Sequence, residues 1–390
     1  MKLFFLIFVV VACITTIGRA DESLDMAGKG MSALGQKDYE HAEGYFSQAI
    51  KLNTNYLGAY YYRALSYVAT AQYDKGIADL DQVLSLNANY ANAYYLRGLC
   101  YMDEKEYDKS LADFNSALLI KTNTDVLSFR AYVNSCLTNY NAAIDDYSRV
   151  IQLSPSNVKG YLGRARVYIL QLSFGLAILD CNSALAVNPD SIMAYQQRGD
   201  VYKAEGNFDA AIADYSTAIQ MDPKDGSTYY ARAVAYADKD DYSNAVKDCT
   251  AFIAINPNIA LVYSERAWYR AEIGDYRGSI DDDEKTIALD QSYFWGYNNL
   301  AWTMAVCPEA KFRDGKKALE YAMKACDLSN WKEPDCIDTL AAAYAEVGNY
   351  KQAVKWETKA LEGLTGSNQE EGQKALHLYE HKKPYREPPK

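Results

Sequence analysis

Residues 192–225 read IMAYQQRGDVYKAEGNFDAAIADYSTAIQMDPKD. Tyr195, Gly199 and Tyr202 fall at helical spacing, so Ile192 to Glu205 reads as a first helix. Gly206-Asn207 turns the chain. Phe208 to Met221 reads as a second helix, with Ala211, Tyr215, Ala218 and Ile219 on one face. Asp222-Pro223 stops it, because a residue before proline is disfavoured in the helical region. The layout recurs. The aromatic that follows each turn is Tyr39, Tyr73, Tyr107, Tyr140, Phe174, Phe208, Tyr242 and Tyr276, at spacings of 34, 34, 33, 34, 34, 34 and 34 residues. Pro155, Pro189, Pro223 and Pro257 keep the same period. A fixed period in this range specifies a solenoid of repeated supersecondary units. Small residues recur where helices must approach: Ala64, Gly98, Ala131, Ala165, Gly199, Ala233 and Ala267. No segment reads as a strand.

The pattern of Tyr195, Gly199, Tyr202, Phe208, Ala211, Tyr215, Ala218 and Pro223 resembles the tetratricopeptide repeat (TPR) family. The resemblance runs from about residue 23 to 367. It implies an all-α solenoid superhelix of about ten helix-turn-helix units whose inner groove binds a protein or peptide, without catalysis. Eight units are expected over 23–293 and two over 294–367. The ninth unit departs from the pattern: Tyr350 follows Tyr276 by 74 residues, six more than two ordinary units, and the excess falls in Cys307 to Gly315. Residues 368–390 are expected to form a cap helix, at Gln373 to Lys382, and a frayed tail.

Seven consecutive units carry an Arg on the first helix and an Asp sixteen residues later: Arg63/Asp79, Arg97/Asp113, Arg130/Asp146, Arg164/Asp180, Arg198/Asp214, Arg232/Asp248 and Arg266/Asp282. Pairing between units would orphan Arg63 and Asp282. Pairing within units orphans none, so each Arg is expected to contact the Asp of its own unit and fix helix register, rather than form a row for an anionic ligand.

Residues 1–20 carry a short basic start, an apolar run from Leu3 to Ile17 and small residues around Arg19. This reads as a signal peptide cut after Ala20 and a secreted or periplasmic location. Two alternatives stay open: a lipobox-like Val10-Val11-Ala12-Cys13, which would make an envelope lipoprotein anchored at Cys13, and an uncleaved anchor, although the run is short of the ~20 residues that span a bilayer. The formal charge of −11 becomes −13 once Lys2 and Arg19 are removed, which argues against nucleic acid as a partner. The end of the chain looks like the C-terminal units of bacterial repeat proteins, and no Asn has Ser or Thr two residues on. Three His, no Gly-rich phosphate loop, no Cys-x-x-Cys and no nucleophile elbow leave no cofactor, metal site or catalytic site to expect. Cys326 and Cys336 flank one turn and are the pair placed to bridge if any disulfide forms.

By the resemblance, the inner wall is lined by first-helix positions four apart, hence on one helix face. Tyr61, Tyr95, Tyr132, Arg166, Tyr230, Trp268, Asn298 and Trp302 are the candidate groove residues, with Trp268 and Trp302 as leading anchors. The wall is aromatic from Tyr61 to Tyr132, polar from Arg166 to Lys203, and aromatic again from Tyr230 to Trp302. The first-helix positions four apart hold one Arg and no Lys, so they lack the basic clamp with which chaperone-binding members of the family grip a carboxylate terminus. The function implied is an extracytoplasmic interaction scaffold, of the kind that serves envelope complex assembly. The alternative is a carbohydrate or peptidoglycan receptor that stacks sugars on the aromatics.

Overall fold

The computed structural model describes residues 21–389; the expected signal segment, with Cys13 and Ala20, lies outside the described residues. Among the described residues there is no strand, and the chain is an all-α helical repeat solenoid. It forms two compact bodies, one ending at Pro189 and one beginning at Asp190. The N-terminal body holds α1 (21–35), α2 (Tyr39–Leu52), α3 (Leu57–Ala69), α4 (Tyr73–Leu86), α5 (Ala91–Asp103), α6 (Tyr107–Ile120), α7 (Thr124–Cys136), α8 (Tyr140–Leu153), α9 (Val158–Leu170) and α10 (Phe174–Val187). The C-terminal body holds α11 (Ile192–Ala204), α12 (Phe208–Met221), α13 (Gly226–Ala237), α14 (Tyr242–Ile255), α15 (Ala260–Glu272), α16 (Tyr276–Leu289), α17 (Phe294–Val306), a 3₁₀ turn (Ala310–Phe312), α18 (Gly315–Leu328), α19 (Pro334–Glu346), α20 (Tyr350–Ala360) and α21 (Gly366–Glu380). Within each body, first and second helices of a repeat pack together, and each second helix packs on the next repeat. No described helix is long and apolar enough to cross a membrane.

One turn geometry closes every repeat except the ninth. The residue two before the turn aromatic is left-handed: Lys37, Ala71, Lys105, Thr138, Leu172, Gly206, Asp240, Gly274 and Gly348. The next residue donates its N–H back to a carbonyl five positions earlier, as from Asn139 to Asn134 and from Asn207 to Tyr202, both at 2.8 Å. This satisfies a carbonyl that the helix end leaves open. Only three of the nine positions are glycine. Thr138 is the costliest occupant, since a β-branched residue at φ +60° crowds its own backbone. Thr138→Gly is expected to stabilise the N-terminal body by about 1 kcal/mol, read as a higher urea midpoint; a lower midpoint would show that the threonine side chain contributes packing that outweighs its strain.

The core follows a second register. A small residue on the first helix faces the residue sixteen later on the second, and in six repeats the two vary together; in the fourth Ala131 stands opposite Tyr147, whose ring lies against Gly163 of the next repeat. Glycine meets an aromatic at Gly30/Phe46, Gly98/Phe114 and Gly199/Tyr215, where an added Cβ would lie 2.7 Å from the ring. Alanine meets smaller groups at Leu80, Cys181 and Cys249, all fully buried. Two repeats break the apolar rule: the same slot holds Asp283 in the eighth and Glu357 in the tenth, both 0% exposed. Burial, with Asp282 beside it, pushes the Asp283 carboxyl well above the carboxylate range. Burial first, and Asp338 second, do the same to Glu357.

The Arg and Asp residues pair as the sixteen-residue spacing predicts. In all seven repeats the guanidinium grips its own Asp with two bonds: for Arg63, Nε to Asp79 at 2.7 Å and Nη2 at 2.6 Å; for Arg266, 2.8 and 2.7 Å to Asp282. From Arg63, Arg97, Arg130, Arg164, Arg232 and Arg266 the remaining Nη1 turns to the preceding repeat's second helix. It donates to Ser47 (from Arg63), Asp81 (Arg97), Asn115 (Arg130), Ser148 (Arg164), Ser216 (Arg232) and Thr250 (Arg266). Each of these Arg residues therefore ties three helices of two repeats. The leading tyrosine covers the guanidinium face, with Arg63 over Tyr60 at 5.7 Å and Arg266 over Tyr263 at 5.5 Å. This accounts for part of the tyrosine excess, and it leaves the arginines committed to structure.

The C-terminus departs from expectation twice. The cap helix α21 begins at Gly366, before the expected Gln373, because α20 already ends at Ala360 and its polar first turn reads as loop. The tail is not frayed. Glu387 N–H donates to the Val306 carbonyl at 3.1 Å, Arg386 donates to the Ala305 carbonyl at 3.1 Å and pairs with Glu346, and Tyr385 packs into the core around α17 and α19. The end of α17 supplies open carbonyls that a short extended segment can satisfy. The inserted loop is likewise ordered: Arg313 Nη1 donates to the Cys307 carbonyl at 2.6 Å, and Phe312 packs 6.0 Å from Tyr276. All seven described cysteines are thiols. Cys326 donates to the Cys336 carbonyl at 3.2 Å rather than bridging, and burial pushes both thiols up to about 12.

Candidate functional site: an acidic, tryptophan-lined pocket

The candidate groove residues separate by environment. In the N-terminal body, Tyr61 packs edge-on against Tyr62 and Tyr90 at 5.5 and 5.3 Å, and Tyr95 lies 6.0 Å from Phe129. Their rings hold one wall together. Tyr132 and Arg166 are exposed. In the C-terminal body, Tyr230 is half-buried and donates its hydroxyl to Glu265 at 2.8 Å. Gln196, in the polar zone, is satisfied by Asp225 at 2.6 Å.

Three candidates converge. Trp268, Asn298 and Trp302 line one cavity of about 590 Å³ among α15, α17, α19, α21 and the tail. Trp268 is the most open, 47% exposed on a helix whose other face is core. Its ring is braced by Tyr242 at 5.8 Å and Tyr269 at 5.1 Å. Trp302 is covered on one side by the tail: its indole N–H donates to Glu387 at 2.6 Å, and Tyr385 lies 6.0 Å from its ring. Asn298 is 6% exposed, and its Oδ1 has no hydrogen-bond partner.

The pocket also holds residues the wall positions did not name. Glu265, Glu272, Asp335, Asp338, Glu371 and Glu387 bring six carboxylates, and no Lys, Arg or His is among the lining residues. Burial raises the Glu265 carboxyl, against the hydrogen bonds from Tyr230 and Tyr269. Burial raises Asp338 to about 6, offset by its hydrogen bond with Glu357. Behind the lining stand the two core carboxyls, Asp283 beside Asn299 and Glu357 beside Asp338. The sequence held one signal for them: Glu265 stands three residues before the wall position Trp268, hence near it on one helix face. Asp335, Glu371 and Glu387 come from later elements, and only the fold brings them to α15.

Tetratricopeptide repeat models match residues 61–125 and 226–259, and a TPR repeat model matches residues 199–240. No curated protein matches the sequence. Among solved structures, a tetratricopeptide repeat protein from Parabacteroides merdae is similar over 64% of this chain and 99% of its own, at 16% identity and a TM-score of 0.54. Pseudomonas aeruginosa PilF is similar over 54% of this chain and 95% of its own, at 16% identity and a TM-score of 0.45. YrrB, described as a TPR protein with an unusual peptide-binding site, is similar over 56% of this chain and 95% of its own, at 21% identity and a TM-score of 0.33. The first of these likenesses supports the fold.

Proposed function

From the premise that this chain is a tetratricopeptide-repeat protein, we propose that it works as an extracytoplasmic scaffold that holds a segment of a protein partner against the first-helix face around Trp268. Repeats of this family act generally in protein–protein interaction. One observation carries the placement: a tryptophan left 47% exposed on an otherwise well-packed helix, held rigid by two tyrosines, beside a pocket. Large rigid aromatics of this kind are the residues on which interfaces concentrate their energy. The signal-like residues 1–20 support the location.

The test compares the native chain with Trp268→Ala, each recovered from the extracytoplasmic fraction of its own cells and cross-linked in place. The recovered chain is expected to begin at Asp21. Its specific partners are expected to fall about thirtyfold in the variant, which corresponds to about 2 kcal/mol, with helical circular dichroism unchanged. An unaltered partner set would move the binding surface elsewhere, and recovery with the cytoplasmic fraction would reject the location.

A further inference from the structure

The pocket is rich in carboxylates and holds no cationic donor, although Asn368 donates to Asp335 at 2.9 Å and the Trp302 indole to Glu387. Its six carboxylates face a cavity to which no basic side chain contributes. The Asn298 Oδ1 is an independent mark of the same need: a buried acceptor lining that cavity, with no donor to satisfy it. Leaving such an atom unpaired is costly, so its natural complement is an incoming N–H group. Trp268, Trp295 and Trp302 supply aromatic surface, which attracts a cation over its face. Among the described residues no three carboxylates converge as metal ligands do. The complement is an organic group that carries donors, positive charge and an apolar stem.

We propose that this pocket receives a lysine or arginine side chain from a basic segment of the protein partner, with the ammonium or guanidinium among Asp335, Asp338, Glu371 and Glu265 and its stem along Trp268. The inference rests on the scaffold reading above and names the partner's chemistry. Lys and Arg are donor-only side chains, three N–H groups on one and five on the other, and they match a site made of acceptors. At 590 Å³ the pocket exceeds one side chain, so neighbouring partner residues enter with it. The raised Asp338 and Glu265 carboxyls agree with this, since an arriving cation relieves the cost of holding charge there. Lys203 of α11 acts on Glu265 as a weaker opposing charge and is not part of the lining.

The probe is N-acetylated pentalysine amide carrying a fluorophore, titrated with the full chain and followed by anisotropy. Its counterpart has every Nε acetylated. Two variants change the net charge equally: Asp335→Asn with Glu371→Gln in the pocket, and Glu40→Gln with Asp74→Asn on exposed positions of the N-terminal body. The pocket variant is expected to weaken binding about tenfold or more and the distant variant less than about twofold. The acetylated peptide is expected not to bind. Equal losses in both variants would show that pentalysine follows only the overall negative charge. Equal binding of the acetylated peptide, or no binding by the native chain, would also overturn the assignment. If Trp268→Ala abolishes partner capture while the pocket carboxylates affect neither pentalysine nor the partner, the cation site falls and the scaffold stands. If no substitution on this face alters partner capture, the scaffold reading falls on its own.

Discussion

Asp282→Ala is expected to destabilise the C-terminal body by about 3–5 kcal/mol, because it leaves the buried Arg266 guanidinium without its carboxylate and takes one partner from Arg270. Asp282 accepts two bonds from Arg266 and a third from Arg270 Nη1 at 2.9 Å, and the Arg266 and Asp282 side chains are only 10% and 5% exposed. Arg270 keeps Asp275 at 3.5 Å, whereas the neighbouring Asp283 makes no hydrogen bond that could serve Arg266 instead. The contrast is Asp81→Ala. That carboxylate also bonds a ladder arginine, but it is 56% exposed, and its loss is expected to cost less than about 1 kcal/mol. Hydrogen exchange across a urea series, read on α4 for Asp81 and on α16 for Asp282, reports each body locally. Similar midpoint shifts for both variants would show that burial does not set the value of these pairs. Replacing Arg266 and Asp282 together by apolar residues of similar volume should recover part of the loss, because the pair's own net contribution is smaller than the penalty for breaking it.

Glu357→Gln is expected to stabilise the chain at neutral and alkaline pH. The Glu357 carboxyl sits in a core slot, with Asp338 beside it and Tyr379 facing it from α21, and a side chain added at Gly372 would lie 2.7 Å from its Oε1. Burial and then the Asp338 charge keep it protonated in the folded chain, whereas the unfolded chain releases the proton near pH 4.5. Above that pH the folded state binds more protons than the unfolded state, so stability falls as pH rises through neutrality. Glutamine holds the same shape without a proton to lose. The variant should match the native chain near pH 4 and exceed it by about 1–3 kcal/mol at pH 8. A constant difference across that range would show that Glu357 ionises freely in the fold.

The repeat was legible because every unit writes the same local instructions. The turn aromatic, the small first-helix residue and the proline are each read within a few residues, and their recurrence makes them unmistakable. The Arg–Asp pairs were legible for the same reason, since sixteen residues across one helical hairpin is a local distance. The second reach of each Arg was not, because its acceptor changes identity from Ser47 to Asp81, Asn115 and Thr250 and shares only a polar end. Trp268, Asn298 and Trp302 came from their place in the repeat. The carboxylates around them depend on α19, α21 and the tail folding back, and no short-range pattern encodes that. The tail itself looked unstructured because its prolines and charges resist helix, yet a few hydrogen bonds to the open end of α17 suffice to seat it. Asp283 and Glu357 read as ordinary polar residues until the core register assigned them to the slot that holds Phe114 and Tyr215 elsewhere.

The two-way reach of the arginines has a bearing on how such an array changes length over generations. Arg130 bonds Asp146 ahead of it and Asn115 behind it. Excising residues 91–123, one complete repeat, would bring Asp81 to the place Asn115 leaves, and Arg97 already accepts Asp81 as a partner. Within repeats two to eight, a crossover between misaligned copies of the gene that keeps whole repeats therefore yields a chain whose new junction is stitched like the old ones. Copy number becomes something inheritance can alter in a single step, while a deletion whose length is not a whole number of repeats leaves an arginine without its carboxylate.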